Sequence, residues 1–360
     1  MPEGITLGTA IGDWIVEDQL GTGGMGSVYR CRNAHAGRLV AAIKVLRGDD
    51  RPDFERWFRR EVEALAALRH PGVVRVLGAG VDPRHGAFLA MDLVEGTTLR
   101  EHVRDHGPLK PDEARRVLPR LTAALAHAHA RGVRHRDVKP GNVILTTDGE
   151  PVLVDFGIAR LDDVTELTVR DAFIGTPAYM SPEMFDDGDV DLVSADTYAL
   201  GVVLWESLTG RRAFTTERGL TAKQRMIKVA QLKWQSGPLD PGEDVPAAVR
   251  ELVQAMTSPD PKQRPTDLVA VAARMEAALR GEDWRVEAPQ DEHSATLAPV
   301  TMQPPDDPGD PSLRSTGDST TVDRGEVERE VTRWVIGAVV AAIVLGGLGA
   351  AGAAWWVGLL

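Results

Sequence analysis

Cysteine is all but missing. A chain of 360 residues has one, Cys31. No intramolecular disulfide can form, so no covalent staple holds the fold, which suits a reducing cytosol. Excess positive charge is missing too. The formal net charge is −12, which argues against a surface built for nucleic acid. The first residues, MPEGITLGTAIGDW, have neither the basic nor the apolar region of a secretory signal, so none is expected. Lysine is scarce, supplying seven of the 41 basic residues. With the abundance of Ala and Gly, this is a compositional hint of a GC-rich bacterial genome.

The acidity is unevenly spread. Residues 281–332 hold 13 Asp and Glu and four Arg, a net of −9, so the other 308 residues carry −3. That segment is rich in Pro, Asp, Ser and Thr and nearly free of aromatics. It has too little apolar surface to offset the entropy of ordering, and a disordered linker is expected there. Residues 334–360 contain no charged side chain. A membrane-spanning helix is expected over 334–357, since about 20 apolar residues cross a bilayer. Trp334 and the pair Trp355/Trp356 stand about 21 residues apart, roughly 32 Å at helical rise, which places them at the two interfaces. The alternative is a buried core helix. Arg329 and Arg333 mark the preceding side as cytoplasmic, although Glu328 and Glu330 dilute the charge. The expected location is the inner face of a cell membrane, single-pass. Ala342, Gly346, Ala350 and Ala354 recur every fourth residue, a spacing that lets two helices pack closely into a homodimer. Simple Ala/Gly bias would produce the same pattern.

The run HRDVKPGN, from His135 to Asn142, and DFG, from Asp155 to Gly157, put an acid, a lysine, an amide and a second acid within about twenty residues. Asp137 can accept a proton from an incoming hydroxyl and Lys139 can sit against a phosphate. Asn142 and Asp155 offer the hard oxygens that Mg²⁺ prefers. This is equipment for phosphoryl transfer, in which catalysis is mostly positioning and charge neutralisation. The two motifs at this spacing resemble the catalytic loop and metal-binding motif of the protein-kinase superfamily.

GTGGMG, from Gly21 to Gly26, matches both a dinucleotide-binding fingerprint and a kinase glycine loop. A Rossmann loop opens a helix and has an acid about 20 residues on. Here the following Ser27–Cys31 reads as a strand, and AAIK, ending in Lys44, stands at that distance. The pattern resembles the kinase glycine loop, with Lys44 as the strand lysine for the α/β-phosphates and Ala41 where the family usually has Val. Over 53–68, Phe54, Trp57, Phe58, Val62, Leu65 and Leu68 form one helical stripe, and Glu61 lies on it. A carboxylate facing a core needs a cation. Lys44 is the expected partner, as in the ion pair of active kinases. The alternative is a solvated glutamate at the stripe margin, as Glu63 reads.

The resemblance covers about residues 14–280 and looks like a bacterial eukaryotic-like (Hanks-type) serine/threonine kinase. It implies an α+β, bilobal kinase fold, with a β-rich N-lobe over about 14–93 and a mostly helical C-lobe over about 94–280, after a tail at 1–13. It implies ATP, with Mg²⁺, or Mn²⁺ in its place, on Asn142 and Asp155. The phosphates would lie under Gly21, Gly23, Gly24 and Gly26. Leu20, Val28, Ala42 and Ile144 would line the adenine slot, Met91 would be the gatekeeper, and Asp92 and Val94 would offer backbone groups. Lys139 within HRD-x-K-P-x-N marks the serine/threonine subclass. Gly141 offers no side chain to a basic substrate residue.

Hydroxyls follow at Thr165, Thr168, Thr176, Tyr179 and Ser181. A phosphothreonine, at Thr168 first and Thr165 next, would pair with Arg136. Thr176 matches a structural or substrate-positioning threonine. The resemblance makes Glu183 and Arg264 a structural pair, sets Asp196 under the catalytic loop, and stacks His135 and Phe156 with Leu65 and Val76. Protein substrates follow from GTPAYMSPE. Two rival readings are a membrane-tethered pseudokinase scaffold, against which the complete polar set argues, and a kinase of small molecules. Thr320, in T-T-V-D, is a further hydroxyl that the kinase could modify in its own linker.

Overall fold

A computed structural model describes residues 5–23, 26–46, 54–157, 177–185, 189–217 and 219–281. Gly24, Thr165, Thr168, Thr176, the spanning helix expected at 334–357 and all but the first residue of the expected linker lie outside this set. No helix among the described residues is long and apolar enough to cross a membrane.

The upper lobe is an antiparallel sheet in the order β1-β2-β3-β4-β6-β5. Its strands are β1 (Ala10–Ile11), β2 (Trp14–Gly23), β3 (Gly26–Asn33), β4 (Val40–Leu46), β5 (Val76–Asp82) and β6 (Gly86–Asp92). Helix α1 (Phe54–Ala66) lies between β4 and β5 in the chain. Because strand side chains alternate, the sheet has two different faces. Ala41, Ile43 and Val45 of β4 and Phe88 and Ala90 of β6 join Ile11, Trp14 and Cys31 in an outer apolar cluster. Ala42, Lys44 and Leu46 therefore point the other way, with Leu46, Leu89 and Met91 in the main core. Burial pushes the Cys31 thiol up to about 12, with the charge of Glu17 adding to the effect.

The expected tail at 1–13 is corrected. Ala10 and Ile11 pair with Ile15 and Trp14, and Ile11 is fully buried. The turn between them uses Gly12 at φ 54, and the Gly12 N–H donates to Asp82 at 3.0 Å. An apolar side chain that fills the end of the outer cluster holds the segment in the sheet.

The lower lobe is mostly helical: α2 (Leu99–His106), α3 (Pro111–Ala130), α4 (Leu192–Thr209), α5 (Ala222–Ser236), α6 (Ala247–Met256) and α7 (Leu268–Gly281). A small sheet, β7 (Gly96–Thr98), β8 (Val143–Thr146) and β9 (Pro151–Leu153), carries the catalytic segment. Thr98 and Glu101 cap α2 reciprocally, as Thr221 and Gln224 cap α5. Helix α4 is apolar on every side and forms the centre of the lobe, the placement such a pattern requires. The Asp191 side chain accepts from Val193 N–H at its start, and Gly210, left-handed at φ 67, ends it. The two lobes are tied by backbone: Val74 N–H donates to Leu153 O at 3.0 Å and Leu153 N–H to Gly72 O at 2.8 Å.

Gly201 sits where α4 touches α6. A Cβ there would lie 2.8 Å from both Met256 Cβ and Thr257 Cγ2. Gly201→Ala is expected to cost about 1–3 kcal/mol of stability by overpacking. In urea unfolding, the midpoint should fall at an unchanged m-value; an unchanged midpoint would show that the helices move apart freely.

Candidate active site

The catalytic loop is a tight knot of polar atoms. Asp137 is buried, and Lys139 Nζ lies 2.6 Å from its Oδ2. Asn142 turns its amide nitrogen to Asp137 O at 2.9 Å and to Oδ2 at 3.0 Å. That leaves the Asn142 carbonyl oxygen as the atom for a cation. Asp155 lies across from it, bonded to Lys44 Nζ. One carboxylate and one amide oxygen, both hard donors, fit a divalent cation of the Mg²⁺ type.

Arg136 and Asp155 are the only non-glycine residues with left-handed backbone among those described, at φ 62 and φ 63. Such conformations persist where surrounding bonds over-determine them. Asp196, deep in α4, supplies those bonds for the catalytic loop. Its Oδ2 accepts from His135 N–H at 2.7 Å and lies 2.9 Å from His129 Nε2, while Oδ1 accepts from Arg136 N–H at 2.8 Å. On the Asp155 side, Val154 N–H donates to Asn142 O and Gly157 N–H to His135 O, both at 2.9 Å. His135 is fully buried, 4.4 Å from the Phe156 ring, and burial lowers its pKa, so the ring is held neutral. Leu65 and Val76 belong to the same cluster.

The expected Lys44–Glu61 pair is not formed. Lys44, only 4% exposed, gives its charge to Asp155, and Glu61 instead pairs with Arg136 at 3.6 Å. Glu61 is 28% exposed, at the margin of the helix stripe, and can turn to whichever cation is nearer. The cation requirement stands, but its partner comes from the catalytic loop and not from the strand.

The nucleotide end is a hairpin. Gly21 pairs with Val28 and Gly23 with Gly26, so the glycine turn joins two strands and opens no helix. Gly26, at φ 147, must be glycine: a Cβ would meet Val45 O at 2.0 Å. Gly21 has open space beside it. Ala42 and Met91 are directly paired, and Lys44 faces Leu89. Asp92 uses its N–H on Arg75 O at 2.9 Å and its carboxylate on the Arg75 guanidinium at 2.9 and 3.0 Å. Val94 is half-buried beside it and Leu20 is exposed at the rim; Ile144 lies on β8, opposite Thr98 and Val152.

Arg264 and Glu183 form a bidentate pair at 2.7 and 2.8 Å. The remaining Arg264 donors go to Ser194, Ser258 and Pro259. Tyr179 and Ser181, counted among the loop hydroxyls, are both buried. Tyr179 donates to Glu206 at 2.8 Å, and Arg212 also bonds its oxygen. Burial removes both as accessible acceptors. Glu206, Arg212 and Lys233 escaped the sequence reading. The signal was present, because Glu206 sits inside an apolar helix and Lys233 stands four residues after buried Val229.

The protein kinase domain family matches residues 14–278. The chain belongs to this family. It is 37% identical over 284 residues to the serine/threonine-protein kinase PknL of Mycobacterium tuberculosis, an alignment covering 77% of this chain and 69% of PknL. It is 36% identical to PknA of the same species over 267 residues, covering 72% of this chain and 59% of PknA. PrkC of Bacillus subtilis is 32% identical over 289 residues, which is 78% of this chain and 43% of PrkC. As a member, this enzyme is a transferase that uses ATP and a divalent cation.

Removing the Asp196 carboxylate leaves buried donors without acceptors and frees the left-handed turn. Asp196→Ala should lose about 3 kcal/mol of stability and about 10²-fold in kcat through misplacement of Asp137. Thermal melts and steady-state kinetics check this; a variant with wild-type kcat would remove Asp196 from the positioning role.

Proposed function

We propose that this kinase transfers the γ-phosphoryl group of ATP to serine and threonine hydroxyls of proteins, its own loop among them. The observation that carries this reading is the convergence of Lys139 and Asn142 on Asp137, together with the pairing of Lys44 with Asp155. Asp137 accepts the proton of the incoming hydroxyl. The hydroxyl oxygen bonds to the γ-phosphorus, the bond from that phosphorus to the bridging oxygen breaks, and ADP departs. Lys139 neutralises charge on the transferred group, and Lys44 holds the α/β-phosphates. Asn142 and Asp155 would hold Mg²⁺, or Mn²⁺ in its place, which would supply charge neutralisation at the phosphates. The relatives bear serine/threonine kinase names, and Lys139 follows the same subclass pattern. Against a pseudokinase scaffold stands the complete set of Lys44, Glu61, Asp137, Asn142 and Asp155.

The Glu61–Arg136 pair gives loop phosphorylation a target. A phosphate on Thr168, or on Thr165, competes for Arg136 and releases Glu61 to Lys44. Residues 334–357 anchor the enzyme at the inner face of the membrane, with 281–332 as the acidic tether. The small-residue stripe in the anchor favours homodimers.

The test is radiolabel transfer by the full chain with ATP and Mg²⁺, beside Asp137→Asn. Wild type should label itself, and the variant should lose about 10²–10⁴-fold in rate. Equal labelling would dismiss Asp137 as the base. Mapping should place the label on Thr168 or Thr165. The full chain should sediment with membranes and a chain ending at residue 333 should not; recovery of both in the soluble fraction would remove the anchor.

A further inference from the structure

One lysine is buried for no reason that stability supplies. Lys233 on α5 has no exposed surface, and no carboxylate among the described residues is close enough to pair with it. Its ammonium stands 3.9 Å from the centre of the Phe214 ring and 4.8 Å from that of Tyr198. It donates to Ala178 O at 2.6 Å and lies 3.5 Å from the Tyr198 hydroxyl. Glu206 contributes charge from further off, while burial pulls the Lys233 pKa well below its ordinary value. Methionine would fill the same space without desolvating a cation, and such replacements are often neutral or stabilising. What lysine adds is a hydrogen-bond donor at the end of a long reach, aimed at one backbone carbonyl.

That carbonyl belongs to a short turn, Pro177–Tyr179, within the GTPAYMSPE run from which the kinase reading takes its peptide-binding ledge. Every described tie on this turn comes from the lower-lobe helices and the segment after α4. Tyr179 is fixed through its hydroxyl by Glu206 of α4 and by Arg212. Ala178 is fixed through its carbonyl by Lys233 of α5. The Arg100 guanidinium is 3.5 Å from where a Gly141 Cβ of the catalytic loop would stand, and its charge acts on Tyr179. Two polar clamps, one on a side chain and one on the main chain, thus hold this turn.

We infer that Lys233 is a positioning residue for the protein substrate: its bond to Ala178 O sets the height of the Pro177–Tyr179 ledge on which the acceptor segment lies. This rests on the kinase reading above. Lys233 touches neither nucleotide nor the reacting atoms, so it acts on substrate binding and leaves the ATP site alone.

The test uses the full chain carrying Lys233→Met, with Lys233→Gln beside it. Glutamine keeps a donor without the charge. Myelin basic protein serves as acceptor. Lys233→Met should raise KM for the acceptor about tenfold, the loss of one hydrogen bond. KM for ATP should not change, and the melting temperature should match or exceed that of wild type. Lys233→Gln should recover part of the loss. Amide exchange within 177–184 should quicken in the methionine variant while α4 keeps its protection. A purely structural lysine gives the opposite pattern, in which melting temperature, ATP binding and acceptor use fall together, and that result overturns the inference. So does an acceptor KM within twofold of wild type in both variants. If Lys233→Met does not fold, the role is structural unless Lys233→Gln folds and shows the KM shift alone. A wild type that transfers no phosphate overturns the kinase reading itself, whereas an active wild type with unaffected variants overturns only the role of Lys233.

Discussion

The carboxylate of Asp196 is the fixed point of the site. It is buried in the second turn of α4, where an unpaired charge would be costly. Donors from His129, His135 and Arg136 therefore must stay close to it. Those bonds hold Arg136 in a left-handed conformation that its own side chain disfavours. The same turn aims Asp137 into the cleft and brings Lys139 and Asn142 onto it. The most buried helix of the lower lobe thus sets the position of its most chemically demanding residue.

Much of this was legible in the sequence because it is local. The HRD-x-K-P-x-N and DFG runs need only a loop and a following strand to present their atoms. The glycine turn between β2 and β3 could be told from a Rossmann loop by the strand pattern after it, and the hairpin bears that out. Partner choice was harder. Glu61 was seen to need a cation, but which of two cations stands nearer depends on how α1 sits against the catalytic loop, and helical periodicity does not report that. Ile11 was assigned to a tail because two residues are too few to show alternation, yet tertiary burial makes them a strand. Tyr179 and Ser181 read as accessible hydroxyls since nothing within their own segment announces the helices that cover them.

The buried polar groups of the lower lobe share one logic. Asp196, Glu206, Lys233 and Arg264 each replace an apolar side chain that the core would accept, and each reaches a backbone or loop group that apolar packing could not fix. Dispersion forces fill space but do not select one orientation of a carbonyl; a donor at 2.6 Å does. The core here holds loops in register as well as excluding water.

The hydrogen bonds between residues 72–74 and β9 have a mechanical consequence. The stretch that joins α1 to β5 is stitched to the lower lobe, although it lies within the upper lobe in chain order. Helix α1 is thereby tethered at its rear, a few residues past Leu65, while its front end has no such stitch among the described residues. Any adjustment of Glu61 between Arg136 and Lys44 is then a pivot about that rear stitch and not a sliding of the whole helix. Glu61 stands five residues before the end of α1, roughly 7.5 Å along the axis. A rotation of the helix about that end moves the Glu61 carboxylate more than it moves the rear of the helix.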